Sequence, residues 1–258
     1  MRPARWRREG VRDTTDSVKT FVRGFDREVL AGGIPAGSVV LLRGPSGSMK
    51  SSLAYYVLYQ NALKGVPGVY VTLEQTAGSL LEHVAGLGLR ATEVSEALPI
   101  LDLSRGREHL EGLVAKIAEM RGPKGVRPVD LLEVLKEKLV ELQRATKAQL
   151  IAIDSWDALE SLLEFEDRRG ETFRFFQWLR GTGLTSLLVS EVYPSALEAG
   201  FEEEFLADGV LLLTMERTGE ISFQRRIQCV KLRSADHRAE AYTLLFQEGR
   251  FEVARAIG

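Results

Sequence analysis

A glycine-bounded loop between an apolar run and a helical segment constrains this chain more than any other feature. Residues 44–51 read Gly-Pro-Ser-Gly-Ser-Met-Lys-Ser; they follow the apolar run 38–43 and precede helically spaced apolar residues over 51–63. A strand, a glycine-containing loop ending in Lys-Ser and then a helix are the context that a Walker A phosphate loop requires. The sequence therefore predicts a phosphate site between a buried strand and the start of a helix.

The chemistry of each part of this loop suits a nucleotide. Glycine lets backbone N–H groups turn inward around phosphate oxygens, and the following helix directs its positive end at the same charge. Lys50 is expected to reach the β- and γ-phosphates, and the Ser51 hydroxyl to bind Mg²⁺. The alternative is a turn-rich loop that binds nothing. The predicted nucleotide-binding residues are Gly44, Pro45, Ser46, Gly47, Ser48, Met49, Lys50, Ser51 and Ser52.

Met49 departs from the motif, which has a glycine at this position. A side chain there is expected to crowd the phosphates or to strain the loop. The substitution favours a nucleotide binder or a slow ATPase over a fast ATPase.

Acidic residues follow two of the apolar runs that we interpret as buried parallel strands. Asp154 ends the run 150–153, which is typical of a Walker B motif, and would hold Mg²⁺ through water. Glu74 ends the run 69–73 and could deprotonate the attacking water. Either carboxylate could instead cap a helix or lie in solvent. Ser190, at the end of a further strand, is a weaker candidate for sensing the γ-phosphate.

Strands that alternate with helices predict an α/β fold with a mostly parallel sheet covered on both faces. After Asp208 the runs predict an antiparallel extension. The predicted strands are 38–43, 69–73, 99–103, 150–153, 186–189, 210–214, 221–232, 241–246 and 250–253. The predicted helices are 51–63, 79–87, 107–120, 129–146 and 172–179. We expect residues 1–18 to be a flexible basic arm and 19–258 to be one ATPase domain.

Composition excludes several classes of protein. The net charge is -2, which argues against a protein built to coat nucleic acid. Cys229 is the single cysteine, so neither an internal disulfide nor a cysteine-cluster metal site can form. No apolar run approaches the ~18 residues of a membrane helix. We expect a cytoplasmic protein with no membrane insertion.

At these motifs the sequence resembles the KaiC-like branch of the RecA superfamily ATPases. The similar segments are 23–37, 67–74, 151–155, 208–213 and 230–233, and the resemblance covers about 19–254. It implies a RecA-like P-loop fold with ATP and Mg²⁺ as ligands. It also implies assembly into a filament or into a ring, for example a hexameric ring, with nucleotide between subunits. It also implies that Lys231 and Arg233 act on the γ-phosphate of a neighbouring subunit. Gln75 and residues 234–237 depart from the family pattern, which favours low turnover.

Three functions remain open from the sequence. The first is a slow, oligomeric ATPase whose catalytic residues are Lys50, Glu74, Lys231 and Arg233. The second is a non-hydrolysing, nucleotide-sensing scaffold that regulates a protein partner, for example in signalling or motility. The third, a DNA recombinase-like paralogue, is disfavoured by the acidic segment 198–205, which would repel phosphate. We therefore expect no tight binding of nucleic acid.

Overall fold

A sheet of nine strands organises the described part of the protein. The structure is a computed structural model that describes residues 17–106, 108, 112, 131–192, 202–218 and 222–255. In chain order, the strands β1 to β11 are Ser17–Val18, Ile34–Pro35, Val39–Gly44, Gly68–Thr72, Ile100–Asp102, Leu150–Asp154, Thr185–Glu191, Gly209–Thr218, Ser222–Leu232, Tyr242–Gln247 and Arg250–Arg255. The first two strands form a separate antiparallel pair.

Helices connect most of the parallel strands. In chain order, the described helices α1 to α7 are Phe25–Glu28, Lys50–Leu63, Ala77–Gly86, Leu131–Thr146, Trp156–Leu163, Arg168–Thr182 and Glu202–Leu206. A 3₁₀ turn spans Ala91–Glu93. Among the described residues, no helix combines the length and the apolar character needed to cross a membrane.

The order of the strands explains which residues meet at each edge of the sheet. The order is β11-β10-β9-β8-β3-β7-β6-β4-β5, and the strands from β8 to β5 in this order are all parallel. The strands β9, β10 and β11 are antiparallel. The carboxyl ends of β3, β4, β6 and β7 therefore lie together, where open α/β sheets bind ligands. The predicted fold class is confirmed.

Strand β3 shows why the central runs are apolar without alternation. All of its residues are buried, since both faces of the sheet are covered. Val40 and Leu42 pack into the core on the side of α2. Val39 and Leu41 pack into the core formed with α4, α5 and α6 on the other face. Because β3 is buried on both faces, its position in the sheet fixes where the glycine loop begins.

The hairpin of β8 and β9 extends beyond the end of β3 and runs alongside the glycine loop that follows β3. Pairing between β3 and β8 ends with Arg43 opposite Leu212, whereas β8 continues to Thr218. The distal half of the hairpin therefore lies beside the loop after β3. At its other end, β9 brings Lys231 opposite Val210, near the start of β8.

Most predicted elements are present with boundaries shifted by a few residues. The structure adds the pair β1–β2 and the helices α1, α5 and α7, and it extends α6 to Arg168–Thr182. Residues 129–130 and nearly all of the predicted helix 107–120 lie outside the described residues. The same holds for residues 1–16 of the predicted arm, whose last two residues form β1.

Candidate functional site

An open cleft of about 470 Å³ lies at the carboxyl edge of the parallel strands. Its walls include the glycine loop, the first turn of α2 and the residues that follow β4 and β6. A volume of this size is typical of small-molecule sites. Eight of the predicted residues line this cleft together: Ser46, Gly47, Met49, Lys50, Ser51, Ser52, Glu74 and Asp154.

The loop is built around the carbonyl oxygen of Pro45. Ser48 Oγ donates a hydrogen bond to this oxygen at 2.7 Å, and Lys50 Nζ donates another at 2.9 Å. A β-carbon on Gly44 would lie 2.6 Å from the carbonyl oxygen of Leu213, so this position has room only for glycine. Helix α2 begins at Lys50, and its first backbone N–H groups are available to an anion in the cleft.

Lys50 is a buried cation surrounded by carboxylates. Its side chain belongs to a residue that is only 7% exposed. Burial lowers the pKa of its ammonium group, while the nearby carboxylates of Glu191, Asp154 and Glu74 act in the opposite direction. The carboxylates therefore offset part of the cost of burying this ammonium group.

Asp154 is also buried and is held by two hydroxyl groups. The Tyr70 hydroxyl donates to Asp154 Oδ2 at 2.6 Å, and Ser51 forms a second side-chain hydrogen bond. Burial raises the pKa of the Asp154 carboxyl, and these hydrogen bonds partly offset the effect. A carboxylate next to a hydroxyl gives the hard oxygen ligands that Mg²⁺ prefers. The residues present therefore fit a magnesium ion.

Glu74 lies at the cleft with an exposed side chain. Its Oε1 accepts a hydrogen bond from the Ser155 hydroxyl, which also caps α5 by accepting from the backbone N–H of Ala158. Ser190, in contrast, is buried, and its hydroxyl donates to Asp157 at 3.3 Å. Ser190 is not among the residues that line the cleft, whereas the next residue, Glu191, is.

Met49 has the strained backbone that its sequence position predicts. Its φ of 72° lies in the left-handed region, which favours glycine. The side chain is partly buried, lines the cleft and packs against the core on the α2 side. Part of the bulk that we expected to crowd the phosphates is therefore directed into the core.

Two further residues contact the loop region, and the sequence analysis did not identify them. His83 on α3 lies 2.9 Å, through Nε2, from the hydroxyl of Ser52, a predicted nucleotide-binding residue. Arg225 on β9 donates from Nε to the carbonyl oxygen of Gly47 at 3.2 Å. Neither contact has a local sequence signal, because each joins elements that are distant along the chain.

Lys231 and Arg233 do not contact the cleft of their own chain. They lie near the start of β8, at the edge of the sheet opposite the glycine loop. Lys231 Nζ donates to the carbonyl oxygens of Glu204 at 2.7 Å and of Phe205 at 3.3 Å. Arg233 donates to the Phe205 carbonyl oxygen at 2.9 Å. Both cations therefore hold the carboxyl end of α7.

The acidic segment predicted to repel DNA is partly neutralised within the fold. Glu203 accepts from Arg168 at 2.9 Å, and Glu204 pairs with the buried Arg43. Residues 198–201 lie outside the described residues. Paired carboxylates repel phosphate less than free ones. This segment therefore repels DNA less than its sequence predicts.

Comparison with known proteins agrees with the geometry of the cleft. The sequence model of the family described as "ATPase: KaiC" matches residues 18–256. The chain is 30% identical over 237 residues to circadian clock protein KaiC2 of Synechocystis sp. PCC 6803, covering 91% of this chain and 39% of that protein. It is 32% identical over 231 residues to a UPF0273 protein of Aeropyrum pernix, covering 86% and 87%.

A solved structure shows the same fold. The KaiC-like protein PH0186 of Pyrococcus horikoshii OT3 superposes with a TM-score of 0.74 and 26% identity, over 93% of this chain and 99% of that one. The chain spans about two fifths of the length of the KaiC clock proteins that it matches. With its phosphate loop, its two strand-end carboxylates and this match along the sequence, the chain belongs to the KaiC-like branch of the RecA superfamily ATPases.

Proposed function

We propose that this chain binds ATP with Mg²⁺ in the cleft and hydrolyses it slowly, as an oligomer with nucleotide between subunits. The meeting of Lys50, Ser51, Asp154 and Glu74 in one cleft carries the proposal. Ser51 and Asp154 supply a hydroxyl and a carboxylate side by side. That pair fits Mg²⁺, which is usually bound by one or two carboxylates together with phosphates.

Each side chain has a distinct role in this proposal. The backbone N–H groups of residues 46–51 surround the phosphates, and Lys50 places its ammonium against the β- and γ-oxygens. Ser51 and Asp154 would hold Mg²⁺, which neutralises charge that develops on the phosphates. Glu74 orients the attacking water and accepts its proton. The Ser155 hydroxyl fixes the Glu74 carboxylate at the mouth of the cleft.

The final part of the mechanism requires a second copy of the chain. Lys231 and Arg233 lie at the far edge of the sheet, so they cannot neutralise charge in their own cleft. A neighbour that docks this edge against the cleft would supply both cations to the terminal phosphate, as arginine fingers do. Hydrolysis would then depend on assembly.

One observation favours a second candidate, a scaffold that binds nucleotide without hydrolysing it. Met49 has a left-handed backbone, with a φ of 72°, at the position where the motif has glycine. In this case ATP would control assembly or the binding of a protein partner.

One experiment separates the two candidates. Phosphate release is measured together with the mass of the assembly, with ATP, with ADP and without nucleotide. Turnover that appears only in the oligomer supports the ATPase. ATP-dependent assembly without phosphate release supports the scaffold, and no effect of ATP on either quantity contradicts both.

A further inference from the structure

A fully buried tyrosine, Tyr70, binds one oxygen of the Asp154 carboxylate. Tyr70 lies on β4 opposite Ala152 of β6, so Asp154, two residues further along β6, is on the same face of the sheet. The Tyr70 hydroxyl donates a hydrogen bond to Asp154 Oδ2 at 2.6 Å. Because the two residues belong to adjacent strands of the central sheet, the backbone fixes the geometry of this contact.

The surroundings of Tyr70 hold its ring in place. The ring packs against that of Tyr55 on α2, with 5.5 Å between the ring centroids, and belongs to the close-packed core on the α2 side of the sheet. A phenylalanine would fill the same space, and a buried hydroxyl group costs free energy unless it has a hydrogen-bond partner. The hydroxyl group of Tyr70 is therefore explained by its contact with Asp154 and not by packing.

This contact limits how Asp154 can bind a metal ion. It engages Oδ2 and leaves Oδ1 as the oxygen that Asp154 can offer together with the neighbouring Ser51. One fixed carboxylate oxygen is sufficient for Mg²⁺, which keeps several of its waters, whereas Ca²⁺ takes about six to eight oxygens and often both oxygens of one carboxylate. We propose that Tyr70 is a positioning residue that makes the site selective for Mg²⁺ over Ca²⁺, a role that rests on the proposed function.

The test compares two metal ions with the same nucleotide. The affinity for ATP is measured by calorimetry with Mg²⁺, with Ca²⁺ and with EDTA, for the native chain and for Tyr70→Phe. Tyr55→Phe is the matched control, since it removes a hydroxyl group from the buried ring that packs against Tyr70. Melting temperatures without nucleotide show whether each variant is folded.

The proposal predicts that the native chain binds ATP more tightly with Mg²⁺ than with Ca²⁺. Tyr70→Phe should weaken ATP binding with Mg²⁺ about tenfold, as the loss of a residue that orients a metal ligand does, and should leave the affinity in EDTA unchanged. With Ca²⁺ the affinity should stay the same or rise, so the preference for Mg²⁺ falls about tenfold or more. Tyr55→Phe should change none of the three affinities.

Three results would overturn the proposal. They are an equal loss of affinity with both metals in Tyr70→Phe, unchanged or tighter binding with Mg²⁺ in that variant, and a native chain that does not distinguish Mg²⁺ from Ca²⁺. The last of these is measured on the native chain alone and does not depend on the folding of a variant. A native chain that binds no ATP under any of the three conditions would instead contradict the proposed function.

Discussion

The two edges of the sheet both carry basic side chains, but they hold them in different ways. At the glycine loop, Lys50 is buried near the carboxylates of Glu191, Asp154, Glu74 and Asp157. At the opposite edge, Lys231 and Arg233 bind backbone carbonyl oxygens of α7, and the Arg233 side chain is 52% exposed. Replacing Lys50 therefore leaves carboxylates uncompensated. Lys231 and Arg233, in contrast, are held mainly by neutral carbonyl oxygens, and Arg233 also lies 3.7 Å from Asp208.

In the proposed mechanism, one chain would provide two halves of a site that do not meet within it. Lys50, which would bind a ligand of its own chain, is fixed by burial. Arg233, which would act on another subunit, is exposed and is held by a backbone carbonyl oxygen of its own chain.

Arg233→Ala should lower ATP turnover by on the order of 10³-fold while ATP affinity stays unchanged. The reason is that the guanidinium stabilises only the transferring phosphoryl group of a neighbour. Phosphate release and calorimetry measure the two quantities. Arg90→Ala, whose side chain is 79% exposed at a distant site, is the control.

A mixture of two variants, each expected to be inactive alone, tests whether Arg233 acts between subunits. A mixture of Arg233→Ala with Glu74→Gln should regain part of the activity, because some interfaces then combine an intact base with an intact finger. A rate that stays proportional to monomer at dilutions where no oligomer is detected would rule out action between subunits.

Lys50→Ala should weaken ATP binding by about a hundredfold, through loss of charged hydrogen bonds to the phosphates. Lys64→Ala, at the other end of α2, should leave ATP affinity unchanged. Calorimetry of both variants provides the comparison. Equal affinities for the native chain and Lys50→Ala would mean that the loop does not bind phosphate.

Asp154→Asn should weaken the Mg²⁺-dependent part of ATP binding about tenfold and raise the melting temperature at neutral pH. The Asp154 pKa is raised by burial, so the ionised carboxylate opposes folding at pH values above its usual 3.8. The gain in melting temperature should therefore shrink as the pH falls toward that value. A gain that is constant with pH would show that charge burial is not its cause.

Met49→Gly should give the smallest effect, a rise of a few-fold in turnover. It relieves a left-handed backbone that costs a non-glycine residue about 1 kcal/mol, but it also removes the packing of the side chain on the core. Turnover and melting temperature should be measured together. Unchanged turnover and ATP affinity would show that this loop tolerates the methionine.

The sequence predicts those parts of the molecule that depend on local chemistry. The apolar runs of the parallel strands, the loop around Lys50 and the strand-end carboxylates can all be identified from short segments. The start of helix α5 also has a local sequence signal, since Ser155 is an N-cap residue that precedes apolar helical residues. The helix has only eight residues, and this length is too short for its apolar spacing to distinguish a helix from a loop.

The contacts that could not be predicted are those that join distant segments. Arg225 reaches Gly47 only because Arg225 is opposite Met215 in the hairpin, and no local pattern fixes that pairing. The same holds for Glu204 and Arg43, which turn part of an acidic segment into internal ion pairs. Sequence alone gives the charge of a segment but not the partner that neutralises it.

Strand β9 connects the region of the glycine loop with the opposite end of the sheet. It carries Arg225 beside the loop and Lys231 at the far edge, roughly 20 Å away at the rise of an extended strand. It pairs with β8 over nearly its whole length and with β10 at Arg226 and Ile227, so its position relative to the sheet is fixed on both sides near Arg225. A small shift of the strand at Arg225 would therefore also move Lys231. In the proposed assembly, β9 would connect the nucleotide cleft of one subunit with the residues that face the next subunit.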